Sequence, residues 1–168
     1  MTRSTNKFWP LLQELGCEGL SRDDPDDYSK PNNPPLPVPL AEIAEIEKKL
    51  GVALPQEYRQ FLLEVGGLLF HGTNVRPIEI REGWGDLEIV NTFIGSSKEG
   101  LGLLWTIEAT EDRLPKELIP IGEDPFGKLH CLAVRGNHLG KIYFCYHDEE
   151  PSWENISLVA ESFADFIS

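Results

Sequence analysis

Apolar positions between residues 54 and 67, LPQEYRQFLLEVGG, recur at a helical interval. Tyr58, Phe61, Leu62 and Val65 stand at i, i+3, i+4 and i+7 and make one apolar stripe, with Gln56, Glu57, Arg59, Gln60 and Glu64 on the other side. Pro55 suits the first helical position, where its missing N–H costs nothing. Gly66 or Gly67 can take the left-handed conformation that closes a helix. Residues 40–50 form a second helix, opened by Pro39 and stopped by Gly51. Leu40, Ile43, Ala44 and Leu50 lie roughly on one face with Ile46 at its flank, and Glu45 precedes Lys49 in the favourable orientation for a helix ion pair. A short helix over residues 6–16 carries Phe8, Leu11, Leu12 and Leu15, and a closing helix over residues 161–167 buries Phe163, Phe166 and Ile167.

After Gly67 the pattern changes to strands. Residues 75–80 and 87–94 are rich in β-branched side chains and flank a turn at Gly83-Trp84-Gly85-Asp86. Residues 103–109 suit a strand or a helix. Residues 118–121, 128–134 and 141–147 read as strands, the last two joined by a hairpin loop over 135–140. This layout predicts an α+β domain, with helices packed on a mostly antiparallel β-sheet. Residues 1–38 read as an extension. Its acidic stretch, Asp23, Asp24, Asp26 and Asp27, lacks the Gly and Glu of an EF-hand loop and reads as a solvated turn. Pro31, Pro34, Pro35, Pro37 and Pro39 make an extended strap into the main domain at residues 39–168.

Several blocks in this domain resemble a known superfamily. Glu47-Lys48-Lys49-Leu50-Gly51-Val52 leads into Leu-Pro-x-x-Tyr-x-x-Phe-Leu at 54–62, followed by Gly66-Gly67. Ile119-Pro120-Ile121-Gly122-Glu123-Asp124 precedes Gly127 and a strand with Cys131-Leu132. Lys141-Ile142-Tyr143-Phe144 with His147-Asp148, and then Ser162-Phe163-Ala164-Asp165-Phe166-Ile167, follow in order. Together they resemble the SUKH superfamily, the group of the Smi/Knr cell-wall regulators, Syd and many bacterial immunity proteins. The resemblance implies a non-enzymatic protein-binding domain of SUKH-like fold. In bacteria it implies an immunity protein that neutralises a polymorphic toxin, often a nuclease. The alternative it implies is a regulatory scaffold of the cell-wall or signalling type. Members of that type tend to carry long disordered flanks, so a short compact chain fits it less well.

Composition narrows the partner. The 168-residue chain has 40% apolar residues, enough for a core, and a formal net charge of −13. That charge argues against binding nucleic acid, whose phosphates need Lys and Arg. It fits a basic protein partner, through complementary potentials that speed encounter. The apolar runs are too short to span a membrane, and the N-terminus shows no signal-peptide pattern. The 3 cysteines, Cys17, Cys131 and Cys145, have no metal spacing and cannot all pair, which favours a cytoplasmic location.

Candidate chemistry is sparse. Residues 122–128 have P-loop spacing up to Lys128. Leu129 stands where a magnesium-binding Ser or Thr is required, Glu123 and Asp124 would repel phosphate, and a strand follows in place of a helix. If residue 130 pairs with 145, then His130, Cys145 and His147 share one strand face, with Cys131 on the other. No close ligand pair exists in the sequence, so small buried thiols and strand-end histidines are the preferred explanation, and no metal or cofactor is expected. No catalytic frame such as Gly-x-Ser-x-Gly is present. Partner binding is expected from acids in turns beside aromatic residues: Glu82, Trp84 and Asp86; Glu123 and Asp124; Asp148, Glu149, Glu150 and Trp153; a Trp folded back to cover the sheet edge is the alternative of about equal weight.

Overall fold

A computed structural model of the chain describes residues 7–14, 37–75, 78, 88–95, 102–124, 126–145, 153 and 156–167. The order is α1 (Phe8–Glu14), α2 (Leu40–Leu50), α3 (Gln56–Glu64), β1 (Leu68–Val75), β2 (Glu88–Phe93), α4 (Leu103–Thr110), β3 (Leu118–Glu123), β4 (Leu129–Ala133), β5 (Ile142–Cys145), β6 (Ile156–Ala160) and α5 (Phe163–Phe166). The strands pair in sequence order as one 6-stranded sheet, antiparallel throughout. The fold is therefore α+β, as the residue pattern predicts.

Helix α3 lies at the centre. Tyr58, Phe61, Leu62 and Val65 are fully buried, and Gly66, at φ +69°, closes the helix in the left-handed region. Around Phe61 the rings of Phe163, Phe93 and Phe8 lie at 4.8, 5.0 and 5.7 Å between centroids, all edge-on. Helix α5 is held there by two caps. Ser162 Oγ accepts the Asp165 amide, and Glu57 Oε2 accepts the Ala164 amide.

Glu64 departs from the expected polar face. It is buried because its carboxylate accepts the backbone N–H groups of Lys7 (2.7 Å) and Phe8 (3.2 Å) and the Gln60 amide (2.6 Å). It thus satisfies donors that the start of α1 leaves open. Phe8 and Leu12 of α1 are buried in the main core. The first helix is therefore built into the domain core rather than hung beside it. The chain re-enters at Val38, whose amide donates to the Leu62 carbonyl at 2.7 Å.

Helix α2 sits rotated from its expected face. Ile43 and Ile46 are buried, while Leu40 is 58% exposed and Ala44 is also outside. Glu47 turns inward, where its Oε1 accepts the Leu54 amide (3.1 Å) and pairs with Arg59 Nε (3.2 Å). The expected Glu45–Lys49 pair does not form. Lys49 instead meets Glu111 at 3.7 Å.

Two strands differ from expectation. β1 starts at Leu68, directly after Gly67, and a register shift between Leu69 and Thr73 breaks its period of two. The turn expected at residues 83–86 lies outside the described residues. β6 pairs with β5 through residues the sequence left unassigned. Residues 103–109 resolve as helix α4. β1 and the segment after β2 touch backbone to backbone: a Cβ on Gly95 would lie 2.1 Å from Gly67 N.

The sheet buries both faces. Ile119, Ile121, Leu132, Ile142, Phe144 and Val159 face the helices. Leu118, Leu129, Cys131, Ala133, Tyr143, Cys145 and Leu158 make a second cluster on the other face. β2 meets β3 through Thr92–Glu123 and Phe93–Gly122, so the first hairpin is staggered along the sheet. Ile78 N donates to Val159 O at 3.3 Å, which brings the chain after β1 to the far strand, β6. The sheet is thus strongly curled.

Candidate functional site

Strand direction alternates in an antiparallel meander. The connections β1–β2 (residues 76–87), β3–β4 (124–128) and β5–β6 (146–155) therefore leave the same end of the sheet. The acids and aromatics expected to bind a partner sit in or beside these connections. Glu82, Trp84, Asp86, Asp148, Glu149 and Glu150 lie outside the described residues, so the strand ends that flank them give their setting. Glu123 pairs with Leu129, Leu129 with Cys145, and Cys145 with Ile156, forming one row straight across β3 to β6. At about 4.8 Å per strand, that row spans about 14 Å. The β3–β4 turn and the β5–β6 connection depart about 10 Å apart. Ile78, early in the β1–β2 connection, bonds Val159, three residues along β6 from Ile156 and so toward the opposite end of the sheet from that row.

The β3–β4 turn is built on Asp124. Its Oδ1 accepts the amides of Phe126 and Lys128, each at 2.8 Å. The backbone adds Asp124 N to Lys128 O (2.9 Å) and Gly127 N to Asp124 O (3.1 Å). Asp124 is buried, its carboxylate turned into the loop. The same bonds explain the P-loop spacing, since amides that would cradle a phosphate already hold a carboxylate. Glu123 is half-buried at the end of β3. Burial, and next the charge of Asp124, raise its pKa above the ordinary carboxylate value. Phe126 stands at the tip of this turn and is 79% exposed. No apolar period marks it, because a single aromatic residue between Pro125 and Gly127 belongs to no helix or strand face.

Trp153 is half-buried and lies over the second face of the sheet. It stacks on His138 with ring centroids 4.4 Å apart and meets Tyr143 edge-on at 5.1 Å. Tyr143 Oη and His138 Nδ1 are 2.8 Å apart, which locks this trio. Trp153 thus spends much of its surface covering the sheet.

The observed register pairs His130 with Phe144, one residue away from the register that would join His130 and Cys145. A one-residue change moves a side chain to the opposite face. His130 accordingly faces the helices beside Phe144 (5.2 Å) and Phe166 (5.5 Å), while Cys145 lies on the second face with Cys131. Burial, and next the hydrogen bond with Cys145, raise the Cys131 thiol well above its ordinary pKa, leaving it a poor nucleophile. His147 lies outside the described residues.

The opposite end of the sheet holds a cavity of about 210 Å³, lined by residues that include Leu50, Ile107, Leu114, Ile119 and Arg135. Arg135 Nη2 donates to the Leu50 carbonyl at 2.8 Å and so caps the end of α2. Among the described residues, no helix is long and apolar enough to cross a membrane.

Over 140 residues the chain is 26% identical to the SPbeta prophage-derived uncharacterized protein YokK of Bacillus subtilis (strain 168), covering 75% of this chain and 71% of that protein. Residues 37–168 match the model of the SMI1 / KNR4 family (SUKH-1). That span takes in every strand of the sheet and helices α2 to α5. By this match the chain belongs to the SMI1 / KNR4 family (SUKH-1).

Proposed function

We propose that this protein is a non-enzymatic binding protein of the immunity type, which neutralises a basic toxin domain, nucleases included, by covering its cationic surface. The observation that carries the proposal is that three connections leave one end of the sheet, one of them, 146–155, with four acids and no Lys or Arg. An antiparallel meander sends residues 76–87, 124–128 and 146–155 out of one sheet end. The net charge of −13 adds the required sign. A nuclease must be basic where it meets phosphate, and an acidic surface occupies that site by complementarity. The β3–β4 and β5–β6 connections depart about 10 Å apart, close to a Debye length of ~8–10 Å, so acids carried there would act on an approaching cation together.

The test uses a basic toxin domain encoded beside this gene, purified in an inactivated form. Reversing Glu82 and Asp86 to Lys, or Asp148 and Glu149 to Lys, is expected to slow association by about tenfold or more at low salt and to flatten its salt dependence. Circular dichroism should stay unchanged. Wild-type kinetics in both variants, with binding lost on reversal of Asp23, Asp24, Asp26 and Asp27, would move the interface to the N-terminal extension. A cell-wall or signalling gene in that neighbourhood, and no toxin, would favour the regulatory scaffold.

A further inference from the structure

We propose that Phe126 is the apolar anchor of this docking end, and that its partner offers an apolar socket rimmed by Lys or Arg side chains. This inference rests on the function proposed above and names the partner surface for it. Phe126 is the most exposed of the large apolar side chains among the described residues, at 79%. Leu40, Trp105 and Leu139 also show apolar surface, but none lies in the connections that leave the acidic end. Ile78 does, at 55%, and its backbone is tied to Val159.

Exposure alone does not make an anchor; rigidity and surroundings complete the case. The amide of Phe126 is fixed by Asp124 Oδ1 at 2.8 Å, and Lys128 and Gly127 are bonded to the same residue. The ring is thus presented from a backbone tied by hydrogen bonds within its own turn, which lowers the entropy cost of docking. Interface hot spots are aromatic groups that fill a desolvated pocket inside a polar rim. Glu123, three residues before Phe126 at the end of β3, supplies a half-buried acid at the base of the same turn, and its carboxyl is already partly desolvated. A Lys or Arg on the socket's rim would meet it. Trp153 fits the anchor role less well, because it is stacked on His138 and Tyr143.

The chemistry separates two jobs. Acids set the encounter rate through a long-range field, while a buried ring sets residence time. Phe126→Ala should therefore raise the dissociation rate by about 30-fold, as loss of a hot spot does, with the association rate and its salt slope unchanged. Phe126→Leu should restore most of the residence time. The probe is the inactivated basic toxin domain already described, followed by surface plasmon resonance at two salt concentrations. Urea unfolding midpoints of both variants should equal wild type, because an exposed ring carries little of the fold's stability. If Phe126→Ala dissociates like wild type while the Lys reversals slow association, the anchor is refuted and the acidic docking end stands. If neither the Ala variant nor the reversals change binding, both readings fall.

Discussion

Phe8→Ala tests whether the helix outside the family match is part of the folded unit. The match begins at residue 37, yet Phe8 is only 2% exposed. Its ring packs edge-on against Phe61 at 5.7 Å and Phe163 at 6.1 Å, both inside the matched span. Truncating such a ring removes its transfer energy and leaves a cavity, a loss of about 3–5 kcal/mol. Aromatic pair terms of ~0.5–1.5 kcal/mol each lie within that figure. An appended helix touching only solvent would give less than ~0.5 kcal/mol. With a urea slope of ~2 kcal/mol/M, the unfolding midpoint should fall by about 1.5–2.5 M. Equilibrium urea unfolding followed by circular dichroism measures this directly. A shift below ~0.3 M at unchanged slope would show that α1 is only loosely docked, and the account of Glu64 as its anchor would fail with it.

Other outcomes follow from particular contacts. Gly95→Ala drives a Cβ to 2.1 Å from Gly67 N and 2.4 Å from Gly67 Cα, so it should abolish folded expression. Gly51→Ala meets nothing within 4 Å and should cost only the left-handed strain of about 1–2 kcal/mol. Asp124→Ala deletes two charge-assisted bonds and should cost about 2–4 kcal/mol by urea unfolding, against about 1 kcal/mol for Asp124→Asn, which keeps an acceptor. Glu123 has a raised folded pKa, so its ionised form is penalised in the fold. That penalty is absent below the ordinary carboxylate pKa and grows as pH rises through the raised value. Glu123→Gln should therefore raise the melting temperature at pH ~7 and leave it unchanged near pH ~3. Equal effects at both pH values would refute the assignment.

Much of the fold was legible where local pattern and tertiary demand coincide. The stripe Tyr58, Phe61, Leu62 and Val65 is buried because a helix with one apolar face has only one way to meet a sheet. The strands over 118–123, 129–133 and 142–145 were readable because they are short apolar runs between turn residues. β1 was misplaced because its register shift hides the alternation, and β6 was missed beside an acidic connection. The face of α2 was set by tertiary bonds. Glu47 is drawn inward by Leu54 N and Arg59, and this turns Leu40 out. Glu64 shows the same limit. A carboxylate goes inside when backbone donors from a distant segment meet it there, and no local pattern announces them.

The sequence shows a set of acids and no geometry for them. Net charge is a sum, whereas docking depends on which carboxylates face outward at one end. Strand order decides the end, since a meander alternates its connections, and register decides the face, as His130 and Cys145 show. Local bonding decides which acid is free to act. Asp124 is committed to its own turn, and in doing so it fixes the aromatic residue that composition alone gave no reason to choose. The two kinds of contribution respond differently to mutation. In the proposed function the acids share one field, so a single reversal would change only part of it and pairs are needed to expose the effect. A ring filling a socket has no neighbour to share with, so its loss is felt at once. Single-site truncation at Phe126 and paired reversal of the acids would therefore report on different steps of the proposed association, departure for the first and encounter for the second.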